Sequence, residues 1–218
     1  MSAPAAASYR AYFIGDACLC WSLGSAIERL TSLRILFVYR RLLADDHLAA
    51  MGVHDVVPSY TALAVHADPW SDWQEIERLV VRHFQGLPES EAELRGRSQR
   101  HVLPVAYQGV DLPRVAECSG LSPDEVVERH AAPEYMVAMI GFRPHFPYLL
   151  GLDPRLATPR LATPRLSVQA GAVAIGGEQT GVYPEASPGG WNIIGLTDPR
   201  LLDAVRPGDT IVFKRRVP

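Results

Sequence analysis

Hydrophobic positions gather in two short runs near the start of the chain, Tyr9–Ile14 and Cys18–Leu23, on either side of the polar turn Gly15-Asp16. Two short apolar runs broken by a turn predict a β-hairpin. The pattern then becomes helical. Ile27, Leu30, Leu33, Leu36, Phe37 and Tyr39 recur at helical spacing over Ser25–Leu43, with Ser25 as candidate N-cap. Asp55–Val57 and Ala62–His66 predict a second strand pair around Pro58-Ser59-Tyr60. After Asp68-Pro69, the positions Trp73, Ile76, Leu79, Val80 and Phe84 form the apolar stripe of an amphipathic helix. The order strand-strand-helix-strand-strand-helix predicts a small α+β sandwich with helices on one sheet face.

The pattern changes near residue 100. Residues 1–100 hold 4 prolines and 5 glycines, whereas residues 101–218 hold 14 and 12. Such punctuation predicts short strands and shaped loops. The polar stretch Gly86–Arg100 has no apolar period, and residues 89–100 are expected to be a linker between an N-terminal domain, 1–88, and a second domain, 101–218. In the latter, His101–Ala106 and Glu134–Ile140 predict strands. Leu112–Cys118 and Ser122–Ala131 predict helices, the second with a serine cap, Pro123 in its first turn and acids at its positive end. Ala172–Ile175, Trp191–Leu196 and Thr210–Phe213 are further short strands. This predicts a closed or nearly closed β-barrel.

Composition narrows the function classes. With 218 residues, 48% of them hydrophobic and 21% charged, the chain has the make-up of a globular protein rather than a disordered one. A net charge of −3 argues against nucleic acid as main partner. No apolar run reaches the roughly 20 residues a membrane span needs, and MSAPAAASYR lacks the basic and apolar regions of a secretory signal. The expected compartment is the cytoplasm. Cys18, Cys20 and Cys118 suit no disulfide framework, and Cys18 and Cys20 are expected to be small buried residues sharing one strand face. Lys214 is the one lysine, against 20 arginines. No Gly-Lys-Ser/Thr phosphate loop exists, and Lys214 is expected in a solvated C-terminal tail.

Candidate chemistry concentrates in the second half. LATPR occurs twice, as Leu156–Arg160 and Leu161–Arg165, which spaces Arg155, Arg160 and Arg165 five apart on an irregular surface segment. Guanidinium forks bind carboxylate or phosphate, so an anion-binding strip and a solvated loop are both open. The run Gly176–Pro184 sets glycines around Glu178, Gln179 and Tyr183, as either a ligand-binding loop or a tight barrel turn. Ser187-Pro188-Gly189-Gly190-Trp191 is a second shaped turn, whose indole either floors a pocket or plugs the barrel. Gly141–Tyr148 contains Phe142, Pro144, His145, Phe146 and Tyr148. His145 is the best-placed histidine for proton transfer. The other six show no metal-like spacing, and no metal is expected. No Ser-His-Asp nucleophile is supported, and Asp209, in the turn Pro207-Gly208-Asp209, is expected to be structural.

The segments GFRPHFPYLLGLDPRLATPRLATPR, AGAVAIGGEQTGVYP, SPGGW and RPGDTIVF, with the earlier pieces Gly15-Asp16, Val56–Leu63 and Ala132–Tyr135 in order, resemble the allophanate hydrolase subunit 1 / KipI family. That family includes the B-type component of bacterial ATP-dependent 5-oxoprolinase. The resemblance implies a small α/β N-terminal domain followed by a cyclophilin-like β-barrel. It also implies a partner, allophanate hydrolase subunit 2 or the C-like subunit of 5-oxoprolinase, and a third oxoprolinase subunit. The implied activity opens 5-oxo-L-proline to L-glutamate with ATP used through the complex, so the chain is expected to be a non-autonomous subunit of an amidohydrolase. Related modules form carboxyltransferase subunits of urea carboxylase, and one branch inhibits a sporulation-type histidine kinase, so the alternative expectations for this chain are an allophanate hydrolase or urea carboxylase-type carboxyltransferase subunit, or an inhibitor whose partner is a histidine kinase. The family's signature positions fall on Phe142, Pro144, Phe146, Tyr148, Arg155, Arg160, Arg165, Gln179, Tyr183, Ser187, Gly190 and Trp191. His145, Glu178 and Gln179 are the catalytic candidates, and the rest are pocket or interface candidates. The chain departs from the family at His145, where glycine is usual, at Ala172 for serine, and at Gly195-Leu196-Thr197-Asp198 for Gly-Arg-Thr-Pro. The approach 201–206 to the last strand is also shortened. Peptidyl-prolyl isomerisation is prompted by the barrel alone and has no independent sign.

Overall fold

The computed structural model describes residues 9–216. The expectation about a secretory signal falls mainly on residues 1–8, outside the described residues. The chain divides into two compact units, 1–97 and 98–218.

The first unit is an antiparallel four-stranded sheet in the order β1-β2-β4-β3, formed by β1 (Arg10–Phe13), β2 (Cys18–Ser22), β3 (Val53–Pro58) and β4 (Ala62–Ala67). Alternate residues of a strand share a face. Leu19 and Trp21 of β2, Val56 of β3, and Leu63, Val65 and Ala67 of β4 therefore join one core. Ile35, Val38 and Leu42 of α1 (Arg29–Leu43) and Ile76, Leu79, Val80 and Phe84 of α3 (Trp73–Phe84) complete it. A short helix α2 (His47–Ala50) lies between α1 and β3. The opposite sheet face carries Cys18 and Cys20, buried and unpaired as expected.

Two local readings are corrected in this unit. Ser25 does not cap α1. Glu28 holds the cap position and makes no side-chain bond there, whereas α3 is capped by Asp72, whose carboxylate accepts from the backbone of Gln74 and Glu75. The segment 89–100 is no bare linker. It contains helix α4 (Glu91–Arg95), capped by Ser90. Its Leu94 is wholly buried, and the Leu94 carbonyl accepts from the Arg40 guanidinium. A single anchoring leucine is too sparse to register as a period, yet it is enough to fasten one short helix.

The second unit is a seven-stranded sheet in the order β12-β9-β10-β7-β6-β13-β5. Its strands are β5 (Arg100–Val105), β6 (Tyr135–Ile140), β7 (Pro147–Leu150), β9 (Ala172–Gly176), β10 (Gln179–Val182), β12 (Asn192–Leu196) and β13 (Thr210–Arg215). A separate ribbon pairs β8 (Arg165–Val168) with β11 (Ser187–Gly189). The two ends of the sheet meet. Just past β5, Ala106 N–H donates to the Leu196 carbonyl at 2.9 Å, and Leu196 N–H donates back at 3.0 Å. Gly195 makes this seam possible, since a Cβ there would lie 2.7 Å from Val105 Cγ1 and 2.9 Å from the Ala106 carbonyl. The result is the nearly closed barrel expected from the broken short strands. Lys214 lies within β13 rather than in a tail.

Helices α5 (Leu112–Ser119) and α6 (Pro123–Ala131) pack on this barrel. Ser122 caps α6 as the sequence predicts, and Glu125 reaches back to complete a reciprocal capping box. The main core takes Val173 and Ile175 of β9, Ile194 of β12, Val182 of β10 and Phe213 of β13. Inside it, His130 is fully buried. Its Nδ1 sits 2.8 Å from the Tyr107 hydroxyl and its Nε2 2.9 Å from Thr180 Oγ1. Burial pushes its pKa down to about 3, because a low-dielectric site disfavours the imidazolium.

Candidate functional site

The opposite faces of β9 and β12 start a second cluster. Ala172, Ala174 and Ile193 point away from the main core and gather Phe146, Tyr183, Trp191 and Val168 around them. The small alanines leave room for large rings. Phe146 is the hub, with ring centroids 4.9 Å from Tyr148, 5.2 Å from Tyr183 and 5.6 Å from Trp191. The last two contacts are edge-to-face, the arrangement that ring quadrupoles favour. Gly176 lets the indole lie against the backbone, because a Cβ there would come 2.5 Å from Trp191 Nε1.

One ring of this cluster turns outward. The turn joining β6 and β7 places both Phe142 and His145 at φ 65°, a left-handed conformation that costs L-residues about 1–2 kcal/mol. The turn holds through Arg143 N–H to the Gly141 carbonyl at 2.7 Å and Phe146 N–H to the Arg143 carbonyl at 3.1 Å. The strained geometry leaves Phe142 56% exposed while its ring still meets Phe146 and Tyr183 edge-on.

The opposite wall is the LATPR segment, which the barrel ties down at successive points. Thr158 and Gly177 exchange backbone hydrogen bonds at 2.8 and 3.1 Å, and Leu161 N–H donates to the Gly190 carbonyl at 2.7 Å. Asn192, fully buried, donates to the carbonyls of Pro159 and Ile175, both at 3.0 Å. At the far end, Arg165 Nη2 donates to Asp111 Oδ1 at 2.7 Å, and Asp111 Oδ2 accepts from Ile193 N–H at 2.8 Å.

Between these walls lies a cavity of about 170 Å³. Phe142, Phe146, Tyr148, Tyr183, Trp191 and Arg160 line it, with Leu161, Pro164 and the Pro188-Gly189-Gly190 turn at its edge. At about 30 Å³ of liquid per water, this is room for about six waters or one small organic molecule. The Arg160 guanidinium sits 5.8 Å from the Trp191 ring centroid, a cation–π arrangement. Among the described residues Arg160 has no ion-pair partner. Tyr183 accepts a hydrogen bond from the Trp191 backbone, and burial raises its pKa. Burial also raises that of Tyr148, with Arg160 opposing. Both phenols therefore stay protonated.

The other sequence candidates lie elsewhere. The three arginines do not form a strip. Arg155 is on a 3-10 turn, its charge acting on Asp153 and Glu125. Arg165 is neutralised by Asp111, and only Arg160 faces the cavity. Glu178 and Gln179 fall at the hairpin between β9 and β10, where Gln179 pairs with Gly176, and neither lines the cavity. His145 is exposed and borders a separate depression of about 210 Å³ with Pro144, Glu185 and Arg200. Ser187 is buried, and its hydroxyl has no hydrogen-bond partner among the described residues. No group of three potential metal ligands occurs among the described residues, and no helix among them is long and apolar enough to cross a membrane. Sequence reasoning overlooked Asp111 and Asn192, which fasten the cavity wall. Asp111 directly precedes α5 and imitates a helix cap there, although its side chain makes no cap bond.

The model of the family described as "Carboxyltransferase domain, subdomain C and D" matches residues 9–212. The chain is 39% identical over 219 aligned residues to the B component of 5-oxoprolinase from Escherichia coli O157:H7, covering 94% of each. The solved structure of TTHA0988 superposes with a TM-score of 0.77 at 34% identity, covering 97% of this chain but 41% of that one. The chain thus spans about two fifths of that longer polypeptide. The structure of the K. lactis urea amidolyase shares the fold, with a TM-score of 0.74 at 17% identity over 97% of this chain and 15% of that one.

Proposed function

Since the chain belongs to the family of carboxyltransferase-domain subdomains C and D, we propose that it is one subunit of a 5-oxoprolinase, which opens 5-oxo-L-proline to L-glutamate while ATP is turned over. The observation that carries this reading is end-to-end similarity, over 94% of both chains, to a protein named as the B component of such an enzyme. Opening the lactam adds one water across its C–N bond. In this reading the chain supplies no nucleophile. It supplies a shaped aromatic cavity and one unpaired guanidinium, which is the electrostatic share of catalysis. Phosphate handling belongs to another subunit, in keeping with the lack of a Gly-Lys-Ser/Thr loop.

The working enzyme contains a second barrel subunit and a third polypeptide. TTHA0988 supports this arrangement, because that chain continues well beyond the part equivalent to this one. The test is ATP-dependent glutamate release from 5-oxo-L-proline by the reconstituted subunits. Release that depends on this chain is the expected result, and equal release with the chain omitted refutes the proposal.

A further inference from the structure

We infer that the aromatic cavity is a binding site for a small ring bearing one carboxylate, with the carboxylate on Arg160 and the ring against Trp191, Tyr148 and Phe146. This rests on the oxoprolinase reading and names the part of the chain that meets the lactam acid.

Size, charge and wall chemistry converge on that ligand class. The volume of about 170 Å³ is too small to enclose a nucleotide, since pockets that bury drug-sized ligands begin at roughly 300 Å³. One charge is on offer. Arg165 is neutralised by Asp111 at 2.7 Å, and Arg155 does not line the cavity. A single guanidinium matches a carboxylate in charge and in its planar, two-oxygen geometry, whereas a phosphate dianion would be left half-compensated. Arg160 is also held in place, set over the indole with its Cζ 5.8 Å from the ring centroid and its backbone neighbours tied through Pro159 to Asn192 and through Leu161 to Gly190. Less rotamer freedom remains to be lost on binding. The remaining walls are ring faces and edges suited to a compact, mostly apolar ring. Two phenol hydroxyls stand among them. That of Tyr183 accepts from the Trp191 backbone and keeps its own proton to donate to a ligand oxygen.

The experiment titrates the full chain, alone and with its partner subunits, with 5-oxo-L-proline, 2-pyrrolidinone and inorganic phosphate. Calorimetry measures affinity, and the Trp191 indole N–H resonance, assigned with a Trp191→Phe variant, reports position. The expected result is saturable binding of 5-oxo-L-proline that shifts that resonance. Binding of 2-pyrrolidinone and phosphate should be about tenfold weaker or more. Arg160→Ala should lower the affinity for 5-oxo-L-proline about tenfold or more, Arg160→Lys should lower it less, and Arg155→Ala should leave it unchanged. Arg160 is exposed, so its variants should fold normally. An unshifted Trp191 resonance at saturation, an equal loss in Arg155→Ala, or an unchanged affinity in Arg160→Ala overturns the inference. The two proposals fail separately. A complex that releases glutamate with an unchanged KM in Arg160→Ala leaves the enzyme reading standing and removes the cavity. Arg160-dependent binding in an inactive complex does the reverse.

Discussion

Replacing Asp111 by alanine tests how the cavity wall is held. The Asp111 side chain is 8% exposed and its carboxylate makes two bonds: Oδ1 accepts from the Arg165 guanidinium at 2.7 Å and Oδ2 from Ile193 N–H at 2.8 Å. Alanine removes both, strands a buried backbone donor on β12 and leaves Arg165 without its counter-charge. Breaking a buried pair in this way costs about 3–5 kcal/mol. Arg165 is 29% exposed and can turn partly to water, so we expect the lower end, about 3 kcal/mol. Hydrogen exchange of the Ile175 and Ile194 amides measures the change where it acts. At about 1.36 kcal/mol per decade, exchange should quicken roughly a hundredfold, against little change in Asp203→Ala, an exposed carboxylate without an ion pair among the described residues. The double variant Asp111→Ala/Arg165→Ala should cost less than the sum of the singles, because it leaves no unpaired charge. Exchange in Asp111→Ala no faster than in the Asp203 control would show that the pair contributes nothing to the wall, and Arg165 would then return as a free anion-binding group.

Three further outcomes follow from particular contacts. The folded state holds His130 neutral to about pH 3, whereas the unfolded chain protonates it near pH 6.5. The unfolded state therefore binds the extra proton, and stability falls as pH drops from about 6 to 4, by about 1.4 kcal/mol per pH unit from this residue. Calorimetric proton uptake on unfolding at pH 5 should be close to one proton lower in His130→Gln; equal uptake in the two proteins would refute the buried neutral imidazole. His145→Gly should raise stability by about 0.5–1 kcal/mol in thermal unfolding, because relief of the φ 65° strain outweighs the entropy that glycine loses on folding; a lower melting temperature would refute the strain argument. Gly176→Ala should cost about 1–3 kcal/mol and alter the near-ultraviolet circular dichroism of the barrel aromatics, since its methyl would fall 2.5–2.6 Å from three indole atoms of Trp191; an unchanged spectrum would mean that the ring does not rest on that backbone.

Much of the architecture is legible in the order of residues. Local periodicity places the strands and the two longer helices of the first unit, although not their caps, and Ser122 to Glu125 announce α6 by themselves. The density of proline and glycine after residue 100 indicates a barrel, because short strands need frequent turns. The aromatic residues of the candidate site are nominated by the family resemblance and by the shaped turns that carry them. The two copies of LATPR show where that legibility ends. Leu156 is fully buried, whereas Leu161 is half-buried at the cavity edge. Thr158 is buried and Thr163 exposed. Arg160 lies over the Trp191 ring, whereas Arg165 is bound to Asp111. Identical pentapeptides have identical local preferences, so the difference comes entirely from what the barrel presents to each. Partners 54 residues away for Arg165, or 33 residues away between Asn192 and Pro159, leave no periodic mark in the chain. The order of residues thus determined which side chains could bind an anion or wall a pocket, and tertiary closure decided which of the three LATPR-region arginines faces the cavity without an ion pair, because a guanidinium's availability depends on the charges and walls folded around it.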